Sequence, residues 1–325
     1  MEGDGLDERA VEGYDIIGDI HGCGSLLRKL LEHLGYSLER GVYRHPTHLA
    51  VFLGDLLDRG PEIRDVVNVA RNMVEAGAAQ MVLGNHEFAA IAYSTPAAEG
   101  SVSPYLRKHT ERIKRMLRQT LLQYAEYPAE WASMVEWFRT LPLFIEYDNF
   151  RVVHACWDHR RIEQLKVVNP DLNLADFGFL SESVKKGTTA NRIVERLLKG
   201  TDLPFPDGML MMGSDGVERD RFRTKFWKSA PQTYADVVFQ PDKIPPPLLG
   251  KKLTDKERKR LLHYNGEEKP LFVGHYWRRG KPRLIRNNIA CLDYSAVKSG
   301  RLVAYRMGHL DTSLEESKLV WVSEC

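Results

Sequence analysis

The sequence predicts an α/β fold whose strands deliver polar residues to one crevice, and three observations carry that prediction. Apolar runs of strand length alternate with segments whose apolar positions recur at helical spacing. The runs end in glycine followed at once by acidic, amide or imidazole side chains, in "GDIHG", "GDLLDRG" and "GNHE". The chain of 325 residues is 43% hydrophobic, enough apolar material for a sizeable core.

The elements follow in order. "YDIIGDIHGC" at residues 14–23 reads as a strand that stops at Gly18, and "THLAVFLGD" at residues 47–55 as a buried strand. "EIRDVVNVARNMVEAG" has helical spacing, and "AAQMVLGNHE" is the next strand, which completes a βαβ rhythm. In open α/β sheets ligands bind outside the carboxyl ends of the strands, and glycine lets the chain turn tightly there, so the three clusters are expected to converge. Residues 106–137 read as one helical stretch. Leu106, Ile113, Leu117, Leu121 and Tyr124 share a face, and Arg107, Lys108, Arg112, Lys114, Arg115 and Arg118 form a solvated basic face in preference to an anion or nucleic-acid contact.

"LFIEYDNFRVVHACWD" reads as a hairpin turning at Asp148 and Asn149 and ending in polar residues at His154. The pattern weakens over residues 158–269, where Pro204, Pro206, Pro231 and the run Pro245, Pro246, Pro247 interrupt it; this is read as a cap inserted into a single domain of residues 1–325. Strands resume in "PLFVGHYW" and in "NIACLDYSAVKSGRLVAYRM", the latter turning between Lys298 and Gly300.

Composition narrows the function classes. Forty-six basic and 44 acidic residues leave a net charge of +2, so any attraction for anions must be local. The segments "KKLTDKERKR" and "RRGKPRLIR" are such local clusters, the first read as a solvated helix and the second as a positive edge to the crevice. Cys23, Cys156, Cys291 and Cys325 form no CxxC pair, which suits a reduced, cytoplasmic setting. The acidic first residues lack an apolar signal region, and no stretch approaches the roughly 18 apolar residues of a membrane span.

The strand ends collect Asp19, His21, Asp55, Asn85, His86, His154 and His275. Carboxylate, amide oxygen and imidazole together suit borderline divalent ions, and the lack of thiolates argues against a structural cysteine-type zinc site. A lone aspartate after a strand is often a helix cap, and a lone histidine is more often a satisfied core residue than a ligand. Five separate strand ends carrying such residues make a purely structural explanation untenable.

In this order, "GDIHG", "GDLLDRG", "GNHE", "VHA" and "GHYW" resemble the motifs of the calcineurin-like metallophosphoesterases, within them the phosphoprotein phosphatase branch and its bacterial relatives. The resemblance implies a four-layer α/β/β/α sandwich with an inserted cap, and two divalent metal ions, manganese first and iron, zinc, cobalt or nickel after it. It implies that Asp19 and His21 hold one ion, that Asp55 bridges, and that Asn85, His154 and His275 hold the other. Two such ions share an activated hydroxide and bind phosphoryl oxygens. By the same resemblance Arg59 clamps phosphate, and His86, oriented by Asp58, protonates the leaving oxygen.

Substrate choice is read from departures. "HACWD" lacks the two glycines that follow this histidine in protein phosphatases and is similar to the "HAG" of dinucleoside tetraphosphatases. Arg221 or Arg223, ahead of Trp227, is the candidate for a second phosphate-binding arginine, or neither is. Trp157, Tyr276 and Trp277 either stack on a ring of the substrate or wall the crevice. Cys23 and Cys156 are read as small buried fillers in preference to oxidation-sensitive thiols.

The first expectation is a phosphatase acting on phosphorylated protein or peptide. The second is hydrolysis of dinucleoside polyphosphates or of nucleic-acid phosphate ends, and the non-enzymatic one is a silent metal-binding scaffold. Intact Asp58, Arg59 and His86 argue against a scaffold. Neither oligomeric state nor native metal is legible.

Overall fold

The computed structural model describes residues 11–212, 218–239, 244–297 and 300–323. The acidic first residues, Lys298 in the last turn, and Cys325 lie outside that range.

The first half is a βαβ succession: β1 (Gly13–Ile17), α1 (Gly24–His33), the hairpin β2 (Ser37–Glu39) and β3 (Val42–Arg44), β4 (His48–Phe52), α2 (Ile63–Glu75), β5 (Ala79–Met81) and α3 (Asn85–Ser94). The expected helical stretch over residues 106–137 is two helices, α4 (Glu111–Tyr124) and α5 (Pro128–Thr140). Leu106 precedes both. Proline at the first position of α5 is pre-set for helical φ but lacks the N–H that continuation of α4 would need, so the chain breaks between them. The hairpin β6 (Phe144–Glu146) and β7 (Arg151–Val153) follows as expected.

Next come α6 (His159–Val168), α7 (Phe177–Ser183), α8 (Thr189–Lys199), β8 (Asp202–Pro204), β9 (Met211–Met212), β10 (Glu218–Arg219), β11 (Arg221–Thr224), α9 (Tyr234–Val237), β12 (Val238–Phe239) and α10 (Asp255–Arg258). The chain ends in β13 (Leu271–Val273), β14 (Ile289–Cys291), β15 (Asp293–Tyr294), β16 (Arg301–Gly308) and β17 (Leu319–Val322).

One sheet has the order β15-β16-β1-β4-β5 with β17 also on β16, and the other the order β14-β13-β7-β6. Strand periodicity sets which residues meet between them. Ile16 and Val51 of the first sheet pack against Val152, Phe272 and Ala290 of the second. Their neighbours Ile17, Ala50 and Phe52 face the helices, as do Val153, Val273 and Cys291 on the other side. The molecule is therefore a four-layer α/β/β/α sandwich. Helices α6 and α8 supply Ile162, Leu165, Ile193 and Leu197 to that main core. A separate small core is formed by Leu203, Phe205, Phe222, Tyr234, Val237, Val238, Leu248 and Leu253. Among the described residues no helix is long and apolar enough to cross a membrane.

Candidate metal and phosphate site

Parallel strands β1, β4 and β5 end side by side, and their following loops are tied together: the His21 N–H donates to the Asp55 carbonyl at 2.9 Å and that of Gly22 to Leu56 at 2.8 Å. β7 and β13 bring His154 and His275 from the second sheet, linked by the Gly274 N–H to the His154 carbonyl at 2.9 Å. The backbone here is unusual. His21, Asp55, Asp58, Arg59 and His275 all have positive φ, between 47° and 68°, a region that costs non-glycine residues energy and persists only where surroundings enforce it. Two glycines permit the close approach. A Cβ at Gly84 would stand 2.3 Å from the Asp55 nitrogen, and one at Gly274 would stand 2.0 Å from Asp19 Oδ1.

Asp55 lies at the centre. Its Oδ1 is 3.4 Å from His154 Nε2, and its Oδ2 is 3.6 Å from His21 Nε2 and 3.8 Å from His86 Nε2. Asn85 Oδ1 is 3.1 Å from His154 Nε2, and Asp19 Oδ2 accepts the His275 N–H at 3.1 Å. Two ligand-capable groups share Asp55, one with His21 and His86 and the other with Asp19 and His154, each with its donor atoms within 4.8 Å. The resemblance paired Asp19 with His21; here Asp19 and His154 draw together around Asp55.

The donors fit a pair of cations. Among the described residues Asp19 Oδ1, His21 Nε2 and His275 Nε2 are buried without a hydrogen-bond partner, an arrangement that costs free energy unless something else meets them. His21 and His154 each donate Nδ1–H to a carbonyl, of Leu57 and Leu53, both at 2.7 Å, which turns the Nε2 lone pair toward the site. Burial, with the Arg59 charge after it, holds His21 well below the ordinary histidine range, and burial followed by Arg223 does the same for His275, so both stay neutral as ligands must. The carboxylates show the complementary need. Burial pushes Asp19 and Asp293 above the usual carboxyl range and Glu87 up to about 7, since several acids crowd a space with few positive charges.

His86 is placed differently from the other imidazoles. Its Nδ1 donates to Asp58 Oδ2 at 2.6 Å, and its Nε2 lies 3.4 Å from Arg59 Nη2. Burial opposes charging of this ring, but the carboxylates of Asp55 and Asp58 outweigh it and raise its pKa. Arg59 itself is exposed at the rim.

Arg221 and Arg223 separate. Arg221 forks onto the Asp202 carboxylate at 2.7 and 2.9 Å, whereas Arg223 Nη1 donates to the His275 carbonyl at 2.7 Å and its guanidinium lies over Tyr276. Trp157 is 2% exposed and Tyr276 0%, so neither ring offers a face for a substrate to stack on. Trp277 is half-buried, with the Arg279 guanidinium over its ring at 4.8 Å. Cys23, Cys156 and Cys291 are buried, and burial pushes the Cys156 thiol up to about 12, which fits the filler reading.

Two buried acids of the site carried no role in the sequence reading. Glu87 stood inside "GNHE" and Asp293 inside an apolar strand run, where an acid is itself the signal. Glu87 accepts the backbone N–H groups of Asp55, Leu56 and Leu57 and so shapes the turn that presents Asp55.

The two-sheet sandwich brings imidazole, amide and carboxylate donors together on converging strand ends. A family model for calcineurin-like phosphoesterases matches residues 14–196, and the chain belongs to that family. A bis(5'-nucleosyl)-tetraphosphatase PrpE [asymmetrical] of Halalkalibacterium halodurans is 47% identical over 74 residues, 22% of this chain and 30% of that protein. The chain thus spans less than a third of that relative's length in the match. One of the same name from Bacillus cereus is 40% identical over 220 residues, 64% of this chain and 81% of the relative. A serine/threonine phosphatase structure from Saccharomyces cerevisiae superposes with a TM-score of 0.50 at 13% identity, covering 97% of this chain and 80% of the other, a likeness of fold alone.

Proposed function

We propose that this protein hydrolyses dinucleoside polyphosphates, and that the phosphoprotein reading of the sequence is the lesser one. The observation that carries it is the match over most of its length to a relative named as an asymmetrical bis(5'-nucleosyl)-tetraphosphatase. The half-buried Trp277, two residues past His275 and beside Arg278 and Arg279, supports it as a platform for a base next to cationic side chains.

Asp19, His21, Asp55, Asn85, His154 and His275 would hold the two ions, with Asp55 shared. When bound, the ions supply an activated water and positive charge against the phosphoryl oxygens. The chain's own groups do the rest. Arg59, exposed at the rim, donates to phosphate oxygens. Arg223, anchored on the His275 carbonyl, adds positive charge from the cap side, while Arg221 stays with Asp202. Asp58 fixes the His86 tautomer through Nδ1, so that Nε2–H of the imidazolium can be given to the departing oxygen. The leaving group of a dinucleoside polyphosphate is itself a phosphate with a second pKa of about 6, so proton donation matters less for it than for a serine ester.

A substrate panel on manganese-loaded protein tests the reading. Diadenosine tetraphosphate is predicted to be split to two unequal nucleotides with kcat/KM at least about tenfold above that for phosphoserine, phosphothreonine and phosphotyrosine peptides and 5′-phosphorylated oligonucleotides, a difference of about 1.4 kcal/mol in transition-state binding. The reverse ranking would return the protein to the phosphoprotein class.

A further inference from the structure

Helix α4 belongs to neither sheet, yet two of its side chains reach into the loop that carries Asp58 and Arg59. Thr120 is 0% exposed. A threonine inside a helix ordinarily turns its hydroxyl back to the carbonyl four residues earlier. Here Oγ1 instead donates to Asp58 Oδ1 at 2.5 Å and accepts the Asp58 N–H at 3.1 Å. Gln123, three residues on and hence on the same helix face, accepts the Ile63 N–H at 2.7 Å and donates to the Gly60 carbonyl at 3.2 Å. Between those anchors Asp58 and Arg59 are consecutive residues at φ 67° and 68°, a conformation of order 1–3 kcal/mol uphill per residue that the loop would not hold unaided.

The two Asp58 oxygens are thereby divided. Oδ2 faces His86 Nδ1 and Oδ1 faces the Thr120 hydroxyl. A carboxylate held at one oxygen can swing about its χ2 bond; one held at both presents a fixed lone pair to the imidazole. We propose that Thr120 is a positioning residue of the His86–Asp58 pair, its hydroxyl locking the Asp58 carboxylate so that His86 keeps Nε2 turned to the leaving oxygen. This rests on the reading that His86 donates the leaving-group proton. The Thr120 hydroxyl meets Asp58 and acts through it.

The test uses manganese-loaded Thr120→Val, Thr120→Ser, His86→Asn and wild type on two phosphate monoesters, para-nitrophenyl phosphate, whose leaving group needs little protonation, and phenyl phosphate, which needs more. Thr120→Val is predicted to slow kcat on phenyl phosphate by about tenfold or more, part of the 10²–10⁴ that general acid catalysis contributes, with para-nitrophenyl phosphate slowed less than about threefold and KM unchanged. Thr120→Ser, which keeps the hydroxyl, is predicted to restore the phenyl phosphate rate. Proton NMR of zinc-loaded protein supplies a second readout. The downfield Nδ1–H signal, assigned by its loss in His86→Asn, is predicted to move or broaden in Thr120→Val and to stay in place in Thr120→Ser.

If Thr120→Val does not fold, Thr120→Ala, which leaves room for a water beside Oδ1, is measured in its place with the same expectation. Equal slowing of both esters by the Thr120 variants, or an unmoved downfield signal, overturns the proposal while a selective His86→Asn leaves the proton-donor reading standing. Equal slowing by His86→Asn overturns that reading and this proposal together.

Discussion

Glu87→Ala tests how the site is braced. Glu87 is 0% exposed, and its carboxylate accepts the Asp55 N–H at 2.8 Å on one oxygen and the N–H groups of Leu56 and Leu57 at 2.9 and 3.2 Å on the other. Alanine leaves all three buried donors without this acceptor, at about 1–3 kcal/mol each. Water entering the vacated space recovers part of that, so the predicted loss is at the low end of the sum, about 3–5 kcal/mol. Glu87→Gln keeps one carbonyl oxygen for two donors but turns an amide N–H₂ toward the third, which predicts a loss of about 1–3 kcal/mol. Urea unfolding of chelator-treated protein measures both, because bound ions would add stabilisation by mass action and hide the difference. Manganese titration by calorimetry supplies the functional half: affinity falls in the same order, since Asp55 loses the turn that presents it. A Glu87→Ala protein within about 0.5 kcal/mol of wild type, with unchanged manganese affinity, would refute the bracing argument.

The remaining predictions are briefer. Chelation is expected to abolish hydrolysis of para-nitrophenyl phosphate and manganese to restore it; Asp55→Asn, which removes the carboxylate shared by both groups, is expected to hold fewer than two ions per chain by elemental analysis, and two tightly held ions there would show that Asp55 is not shared. Arg59→Ala and Arg223→Ala are expected to raise KM and lower kcat, whereas Arg221→Ala, engaged with Asp202, is expected to keep wild-type kinetics; matched losses in the two cap variants would reject the assignment made from their contacts. Because burial keeps Asp19, Asp293 and Glu87 protonated above the ordinary carboxyl range, Glu87 to about 7, manganese affinity is expected to fall from pH 7.5 to 5.5 with protons released on binding; a calorimetric affinity flat over that interval would contradict it.

The candidate donors were legible because strand ends announce themselves. An apolar run, a glycine and then Asp, Asn or His is a local pattern, and parallel strands must deliver such ends to one side of a sheet. Local pattern misled where periodicity ran on. The spacing of Ile113, Leu117, Leu121 and Tyr124 continues toward Trp137, but the backbone stops at Tyr124 and restarts at Pro128. Asp293 escaped notice because it lies in an apolar strand run, and its proximity to Asp19, Asp55 and Arg59 is made by sheet order.

Sequence by itself determined the alternation of strands and helices, the family motifs and the chemical kind of ligand, all of which depend on residues near one another in the chain. Parity could not separate Arg221 from Arg223, since residues two apart on a strand point the same way. Packing of β11 gives them different partners, setting Arg223 against the His275 carbonyl and leaving Arg221 to Asp202. Likewise nothing in "GNHE" tells what the Nδ1 of His86 meets. The Asp58 carboxylate on Nδ1 distinguishes His86 from His21 and His154, whose Nδ1 groups go to carbonyls, and that carboxylate is itself held by Thr120 from a helix 62 residues along the chain. Such contacts depend on which surfaces the core brings together, and burial of apolar faces, not local spacing, determines that.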